Sequence, residues 1–284
     1  MCRLLGMVCA TGKDAFDHLA GYKYSLLAQS DADPKRLQKD GWGIGAWEGK
    51  SWKLVRSTGA IYSEKRKFEK ASREAVSRIV LGHIREASNP GGVPHEKLIS
   101  LNNTQPFHHG KYIFIHNGVL IIPRQMAATL GPYRKNIKGI NDSEVLFWLF
   151  LRNIKKIGDV PKAFSRTVEE IWGVWEKCDE ATREQASKIY NFNSPYHSLN
   201  SFISDGKTLW AFCKHDKASP HKDLCGGGRP VFEVCYTTRG DVTYIASERT
   251  DRAKDWQFMQ DGTVLTVRAE EPKKVDISDI RSVL

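Results

Sequence analysis

Long apolar runs are missing from this 284-residue sequence. The longest uncharged one, Val145–Leu151, is far short of the ~20 residues a bilayer-spanning helix needs, so a membrane-spanning protein is excluded. Cysteine is scarce too. Six cysteines in no framework spacing argue against a disulfide scaffold and for reduced thiols in a cytoplasmic protein. An export signal is also lacking. Met1–Ala10 has one arginine and a short apolar run, but no small-residue cleavage site follows and Lys13 and Asp14 end it. Val8 before Cys9 makes a poor lipoprotein site, and the stretch reads as a first strand. No repeat, low-complexity tract or linker appears, and 40% hydrophobic against 27% charged residues excludes wholesale disorder. Cys213, His215, His221 and Cys225 cluster, but they match no paired zinc template and run into Gly226–Gly228, so neither metal nor cofactor is expected.

What the chain has in excess is positive charge. Its 43 Lys+Arg outnumber 33 Asp+Glu, for a net charge of 43 − 33 = +10. Such a surplus suits a nucleic-acid partner, an anionic substrate or plain solubility. The basic residues are scattered among acidic neighbours, as at Lys65-Arg66-Lys67 and Lys155-Lys156, and no nucleic-acid motif accompanies them. Nucleic acid is therefore not the expected partner.

Strand and helix signals interleave. Arg3–Val8 reads as a strand. Asp14 is a candidate N-cap for a helix to about Ser30, with Phe16, Leu19, Ala20, Tyr24 and Leu27 on one face. Gly41–Trp47 is too glycine-rich for a helix and reads as a strand passing close to other backbone. A charged helix over Glu64–Val76 precedes a buried strand, Ile79–Arg85. Tyr112–Ile115 is a strand ending at His116-Asn117-Gly118, whose Asn-Gly signals a turn. Helices are expected over Asp142–Lys155, with Asp142 and Ser143 as caps, and over Val160–Lys177. Hairpins follow: Phe202–Ser204 with Thr208–Phe212 through Asp205-Gly206, then Val231–Thr237 with Val242–Ala246 through Arg239-Gly240, and Thr263–Val267 after Asp261-Gly262. This order predicts an α+β layered sandwich of mostly antiparallel sheets in a single domain.

Cys2 directly follows the initiator Met. Cysteine is small enough for Met removal, which would leave a residue carrying both a thiol nucleophile and, as its α-amine, a base. An ordinary cysteine at a strand start is the plain alternative.

The whole chain bears on that choice. Met-Cys-Arg-Leu-Leu-Gly at residues 1–6 resembles the start of the class II glutamine amidotransferases, which are N-terminal-nucleophile hydrolases. The resemblance continues in order through Asp40-Gly41-Trp42-Gly43-Ile44-Gly45, Gly82-His83-Ile84-Arg85-Glu86-Ala87-Ser88, Thr104-Gln105-Pro106-Phe107, His116-Asn117-Gly118-Val119 and Asn141-Asp142-Ser143-Glu144. Leu199-Asn200-Ser201-Phe202-Ile203-Ser204-Asp205-Gly206 and Ile245-Ala246-Ser247-Glu248 look like the standalone branch of that superfamily. The resemblance implies a four-layer αββα sandwich occupying residues 2–284 as one domain, with no acceptor or synthase domain. It also implies catalytic roles for Cys2 as nucleophile and for Asn117 and Gly118 as oxyanion donors. Arg85 would hold the substrate α-carboxylate, Asp142 the α-ammonium, and Ser88 would stand near the carboxylate. Each has a structural alternative: a turn for Asn117-Gly118, a helix cap for Asp142, a surface ion pair for Arg85. His83 and His116 are expected to be structural hydrogen-bonding residues.

The implied reaction is cleavage of the γ-amide of glutamine, or of a γ-glutamyl compound, through a Cys2 thioester. Glutamate leaves with ammonia or an amine. Free glutamine with ammonia passed to an acceptor partner protein, and a γ-glutamyl peptide or thiol of glutathione type, are the competing substrates. Glu86 stands where the ammonia-channelling synthases usually have Trp, and Asn89-Pro90 replaces their His-Gly, so the pocket wall differs. A catalytically silent basic binding protein is the reading of another class.

Overall fold

The computed structural model describes residues 2–190, 193–215, 223 and 232–280. Two antiparallel sheets make its centre. The first holds β1 (Arg3–Lys13), β2 (Trp42–Trp47), β3 (Trp52–Ser57), β4 (Ser77–Ile84), β9 (Cys235–Arg239), β10 (Val242–Ala246) and β11 (Gln257–Phe258), in the order β11-β9-β10-β1-β4-β2-β3. The second holds β5 (Phe107–His109), β6 (Tyr112–Leu120), β7 (Tyr196–Ser204), β8 (Thr208–Cys213), β12 (Thr263–Arg268) and β13 (Val275–Asp279), in the order β13-β12-β8-β7-β6-β5.

Side-chain alternation explains the layering. On β1, Leu4 and Val8 point one way and pack with Ile113 and Ile115 of β6 and Leu209 of β8, filling the space between the sheets. Leu5, Met7 and Cys9 point the other way, against Leu26 and Leu27 of α1 (Leu26–Gln29) and Phe68 and Ala71 of α2 (Lys65–Glu74). On β6, Phe114 faces outward into a layer built by α4 (Pro123–Ala128), α5 (Asp142–Ile157) and α6 (Val160–Glu176). α3 (His95–Leu98) and α7 (Glu180–Tyr190) complete the helices used here. The central strands of both sheets, such as β4 and β7, are buried on both faces, which is why β4 reads as a continuous apolar run; the edge strands β3 and β13 are partly exposed. The result is the expected αββα sandwich. Phe164 stacks on Phe212 at 4.0 Å between centroids, and Phe150 meets the same ring edge-on at 5.4 Å. Burying each such side chain is worth ~2–3 kcal/mol. Among the described residues no helix is long and apolar enough to cross a membrane.

Some local expectations need correction. The helix expected from Asp14 to Ser30 is broken: a single turn at Asp17–Gly21 gives way to extended Tyr22, and Ser25 caps a new start at α1 through its Oγ. β9 begins at Cys235, later than expected; Val231 lies outside the described residues, as do His221 and Cys225 of the cysteine–histidine cluster. Asn141, not Asp142 or Ser143, caps α5, its Oδ1 accepting from the Ser143 N–H at 2.7 Å. The most consequential difference is at Asn117-Gly118. It is not a turn: β6 runs straight through it, with Asn117 opposite Asn200 and Gly118 opposite Leu199 on β7. A Cβ on Gly118 would lie 1.8 Å from the Ser198 carbonyl oxygen, so the glycine serves close approach rather than reversal. Gly43 does the same on β2, where a Cβ would lie 2.2 Å from the Gln105 carbonyl, as the glycine-rich strand suggested.

Candidate active site

Cys2 immediately precedes β1 and is nearly buried, with 9% of its surface exposed. Two-residue alternation puts it on the same face as Leu4, toward the second sheet. On β6 the same rule puts Asn117 with Ile113 and Ile115, facing the first sheet. Arg3 pairs with Ile84 across β1 and β4, so Cys2 and Arg85 share one end of the first sheet. The Cys2 Sγ lies 3.5 Å from the Glu86 carbonyl oxygen. Burial pushes its thiol pKa up; the Arg85 and Arg3 charges pull the other way, and Asp142 adds to the rise.

Arg85 is 2% exposed. Its Nη1 donates to the Asp40 and Leu98 carbonyls at 3.2 and 2.9 Å, which holds the guanidinium still while Nε and Nη2 stay uncommitted among the described residues. This is a buried, braced cation and not a surface ion pair. Asp142, also 2% exposed, accepts from the Ser88 hydroxyl at 3.1 Å through Oδ1 and from the Leu120 N–H at 2.8 Å through Oδ2. Burial raises its pKa, against the pull of nearby His116. Leu120 follows Gly118 by two residues, so this bond ties the start of α5 to the Asn117-Gly118 stretch.

Asn117 is fully buried, and neither Oδ1 nor Nδ2 has a hydrogen-bond partner among the described residues. Leaving such a group unpaired costs ~1–3 kcal/mol. Evolution tolerates that where a ligand supplies the partner. Of the six residues singled out from the sequence, Cys2, Arg85 and Asp142 feel one another's charge, Ser88 is bonded to Asp142, and Asn117 and Gly118 lie on the strand that Asp142 ties down through Leu120.

Other members of the same motifs position these groups and carried no role from sequence alone. Asp40 Oδ2 accepts from the Ala87 N–H at 2.7 Å and its Oδ1 lies 3.0 Å from His95 Nε2, bracing the segment between Arg85 and Ser88. The Gln105 side chain grips the backbone of His116, accepting from its N–H at 2.6 Å and donating to its carbonyl at 3.3 Å. It takes the place of a strand beside β6 just before Asn117. Arg3 and Glu248 form a buried ion pair at 3.3 Å, and Arg3 Nη1 donates to the Cys2 carbonyl at 3.1 Å. Spacing in the sequence offers no signal for that contact, because Glu248 arrives from beyond β10.

His116 is structural as expected: Nε2 donates to the Ser198 carbonyl at 3.1 Å, leaving Nδ1 to accept from Ser143 at 2.9 Å. His83 is fully buried; burial, with the Arg85 and His116 charges, lowers its pKa to about 3 against the opposing pull of the His116 backbone. It fills the layer between the sheets as a neutral ring. Cys213, also buried, has its thiol pushed up to about 12. A cavity of about 470 Å³ is lined in part by Val93 and Leu98, and by Asn89 and Asn141, the chain neighbours of Ser88 and Asp142.

A family model for class-II glutamine amidotransferases matches residues 1–282. The chain belongs to that family. Among curated relatives, the probable glutamine amidotransferase DUG3 of Saccharomyces cerevisiae is 28% identical over 223 residues, covering 68% of this chain and 58% of the yeast protein. The chain thus spans less than two thirds of that relative's length. Two solved structures share the class-II amidotransferase fold. A glutamine aminotransferase class-II domain protein from Silicibacter pomeroyi superposes with a TM-score of 0.58 at 19% identity, covering 98% of this chain and 99% of that one. The glutamine phosphoribosylpyrophosphate amidotransferase of B. subtilis, solved with ADP and GMP, gives 0.60 at 15% identity, covering 98% of this chain and 49% of the other.

Proposed function

We propose that this class-II amidotransferase is an amidohydrolase that opens the γ-amide of glutamine, or of a γ-glutamyl compound, with Cys2 as nucleophile. One observation supports the reading: the Asn117 side chain is fully buried on the face of the second sheet that meets the first, and has no hydrogen-bond partner among the described residues. An oxyanion is the ligand that completes Asn117, since its NH2 would donate to the tetrahedral intermediate together with the Gly118 N–H. A thiol whose pKa is raised by burial does not sit as a resident thiolate. It needs a base at hand, and after removal of Met1 the Cys2 α-amine, with a usual pKa of ~7.7–8.0, is one.

The steps then balance. The amine takes the thiol proton as sulfur bonds to the γ-carbonyl carbon. Collapse of the tetrahedral oxyanion breaks the C–N bond, and the same proton leaves on ammonia or the amine. Water adds to the thioester, and glutamate departs with the thiol restored. The free nitrogens of Arg85 hold the α-carboxylate, and Asp142, steadied by Ser88, holds the α-ammonium.

The test is glutamate release by the processed full chain from glutamine and from a γ-glutamyl dipeptide, compared between Cys2 and Cys2→Ala. Complete loss in Cys2→Ala, and a loss of about 10²–10³ in kcat for Asn117→Ala, are expected. Unchanged release from Cys2→Ala refutes the proposal. Activity from protein whose intact mass retains Met1 refutes the amine as base. The ratio of the two substrates assigns the leaving group.

A further inference from the structure

The amide-opening reaction accounts for one cation, Arg85, in a chain with a surplus of ten. Part of the remainder converges elsewhere. A cavity of about 270 Å³ lies between β3, β5, the loop before α5 and α5 itself. Arg56, Lys135 and Lys138 line it, and none of the three forms an ion pair among the described residues. Arg56 is fixed there: its Nη1 donates to the Leu101 and Thr104 carbonyls at 3.1 and 2.9 Å. By contrast Arg239 meets both Asp251 and Asp255, and Arg152 meets Glu170.

The carboxylate on this cavity's wall, Glu144, is already committed. Its two oxygens accept from the backbone N–H groups of Lys138 and Gly139 at 2.9 and 2.7 Å. Three cations against one carboxylate leave a local charge of 3 − 1 = +2 before His108 and His109 on the same wall are counted. The potential is felt: burial, Arg56 and Lys138 together lower the His108 pKa. A second, independent observation points to a ligand. Trp148 lines the cavity with its ring 4.8 Å from that of His109, and its buried indole N–H has no acceptor among the described residues. A buried donor beside unpaired cations lacks an oxyanion.

We propose that this cavity binds the phosphoryl group of a small-molecule phosphate. A local charge of +2 matches a dianion, whereas a carboxylate would leave one cation unanswered. The volume equals that of about nine waters at ~30 Å³ each, enough for a phosphate or diphosphate and too small for a chain segment. Fixed Arg56 would supply a forked pair of donors, the two lysines mobile charge, and Trp148 a directed N–H. This site is separate from Cys2 and does not rest on the amide chemistry.

Calorimetric titration of the full chain with inorganic phosphate and with pyrophosphate, at about 0.15 M salt to suppress diffuse attraction, tests it. Saturable single-site binding of pyrophosphate is expected, unchanged in Cys2→Ala. Lys135→Gln combined with Lys138→Gln should weaken it about tenfold or more, as loss of charge-assisted bonds predicts. Trp148→Phe should weaken it severalfold while leaving the melting temperature near that of the parent. The control pair Lys155→Gln and Lys156→Gln, which removes equal charge from the far end of α5, should leave it unchanged. Absence of saturable binding overturns the proposal. So does equal weakening by the control pair.

Discussion

Adding one methyl group to Gly118 isolates the close approach of β6 to β7 next to Asn117. The new Cβ of Gly118→Ala would lie 1.8 Å from the Ser198 carbonyl oxygen, where real contacts are at least 3.0 Å, so β6 and β7 must separate locally by about 3.0 − 1.8 = 1.2 Å. The atom in the way is backbone and cannot rotate aside. Overpacking of side chains in a core typically costs ~1–3 kcal/mol, and a rigid obstacle belongs at or above the top of that range, about 3 kcal/mol. With ~2.1 cal/mol/K of unfolding entropy per residue, 284 residues give ~0.6 kcal/mol/K, so the melting temperature should fall by about 5 °C. Gly173→Ala is the matched control. Gly173 lies inside α6 with nothing within 4 Å of its would-be Cβ, and the same methyl there should stabilise by ~1 kcal/mol, or about 2 °C. Thermal unfolding of both variants by circular dichroism decides the matter. A Gly118→Ala protein melting within a degree of the parent would refute the claim that this glycine exists for proximity.

Further outcomes follow from the site and the buried histidines. Arg85→Lys should keep kcat within an order of magnitude but raise KM for glutamine by about 10²-fold, because a point charge cannot replace a forked donor pair worth ~3 kcal/mol; steady-state kinetics checks it. Asp142 must be ionised to hold an ammonium, and burial raises its pKa, so KM should begin to climb on acidification at a higher pH than for an ordinary carboxylate. Asp142→Asn should have a high KM that no longer depends on that ionisation. His83 and His18 have folded pKa values of about 3 and about 4, below the usual 6.5, chiefly through burial. Lowered basic groups bind protons in the unfolded state first, so stability is lost as pH falls below 6.5. Between pH 6.5 and 5 each should remove about 2 kcal/mol, at 1.36 kcal/mol per pH unit. Urea midpoints at pH 7 and 5 measure the sum, and an unchanged midpoint would mean that both rings are solvated.

The sequence made the central strands legible because both of their faces are buried, so Arg3–Val8 and Ile79–Arg85 stand out as apolar runs. It also showed the hairpins at Asp205-Gly206 and Arg239-Gly240, where left-handed glycines are needed and present. It misled at Asn117-Gly118 because two physical demands select the same dipeptide. A tight turn needs a glycine of positive φ, and a crowded strand needs a residue without Cβ; only the partner strand, β7, tells them apart. The helix expected from Asp14 failed for another reason. Its apolar spacing is helical, yet Gly21 and the Ser25 cap override it locally. The candidate site was readable residue by residue, while its bracing was not. Asp40, Gln105 and Glu248 act through contacts that cross from 11 to more than 200 positions of chain, and no local pattern encodes such a distance.

The placement of β1 has a consequence for when the site comes into being. This strand is hydrogen-bonded on one side to β4 and on the other to β10, and the Leu4 N–H donates to Ser247 Oγ, 243 positions away. β1 therefore leaves a ribosome long before β10 does, and acquires its full set of neighbours late. Until β10 emerges, one edge of β1 stays open beside the thiol, and such an unpaired edge is a template for wrong pairing. Cys2 thus lacks part of its surroundings until the chain has been made as far as β10. A nascent chain that has not yet reached β10 should depend on chaperones, and that dependence should vanish once β10 closes the sheet.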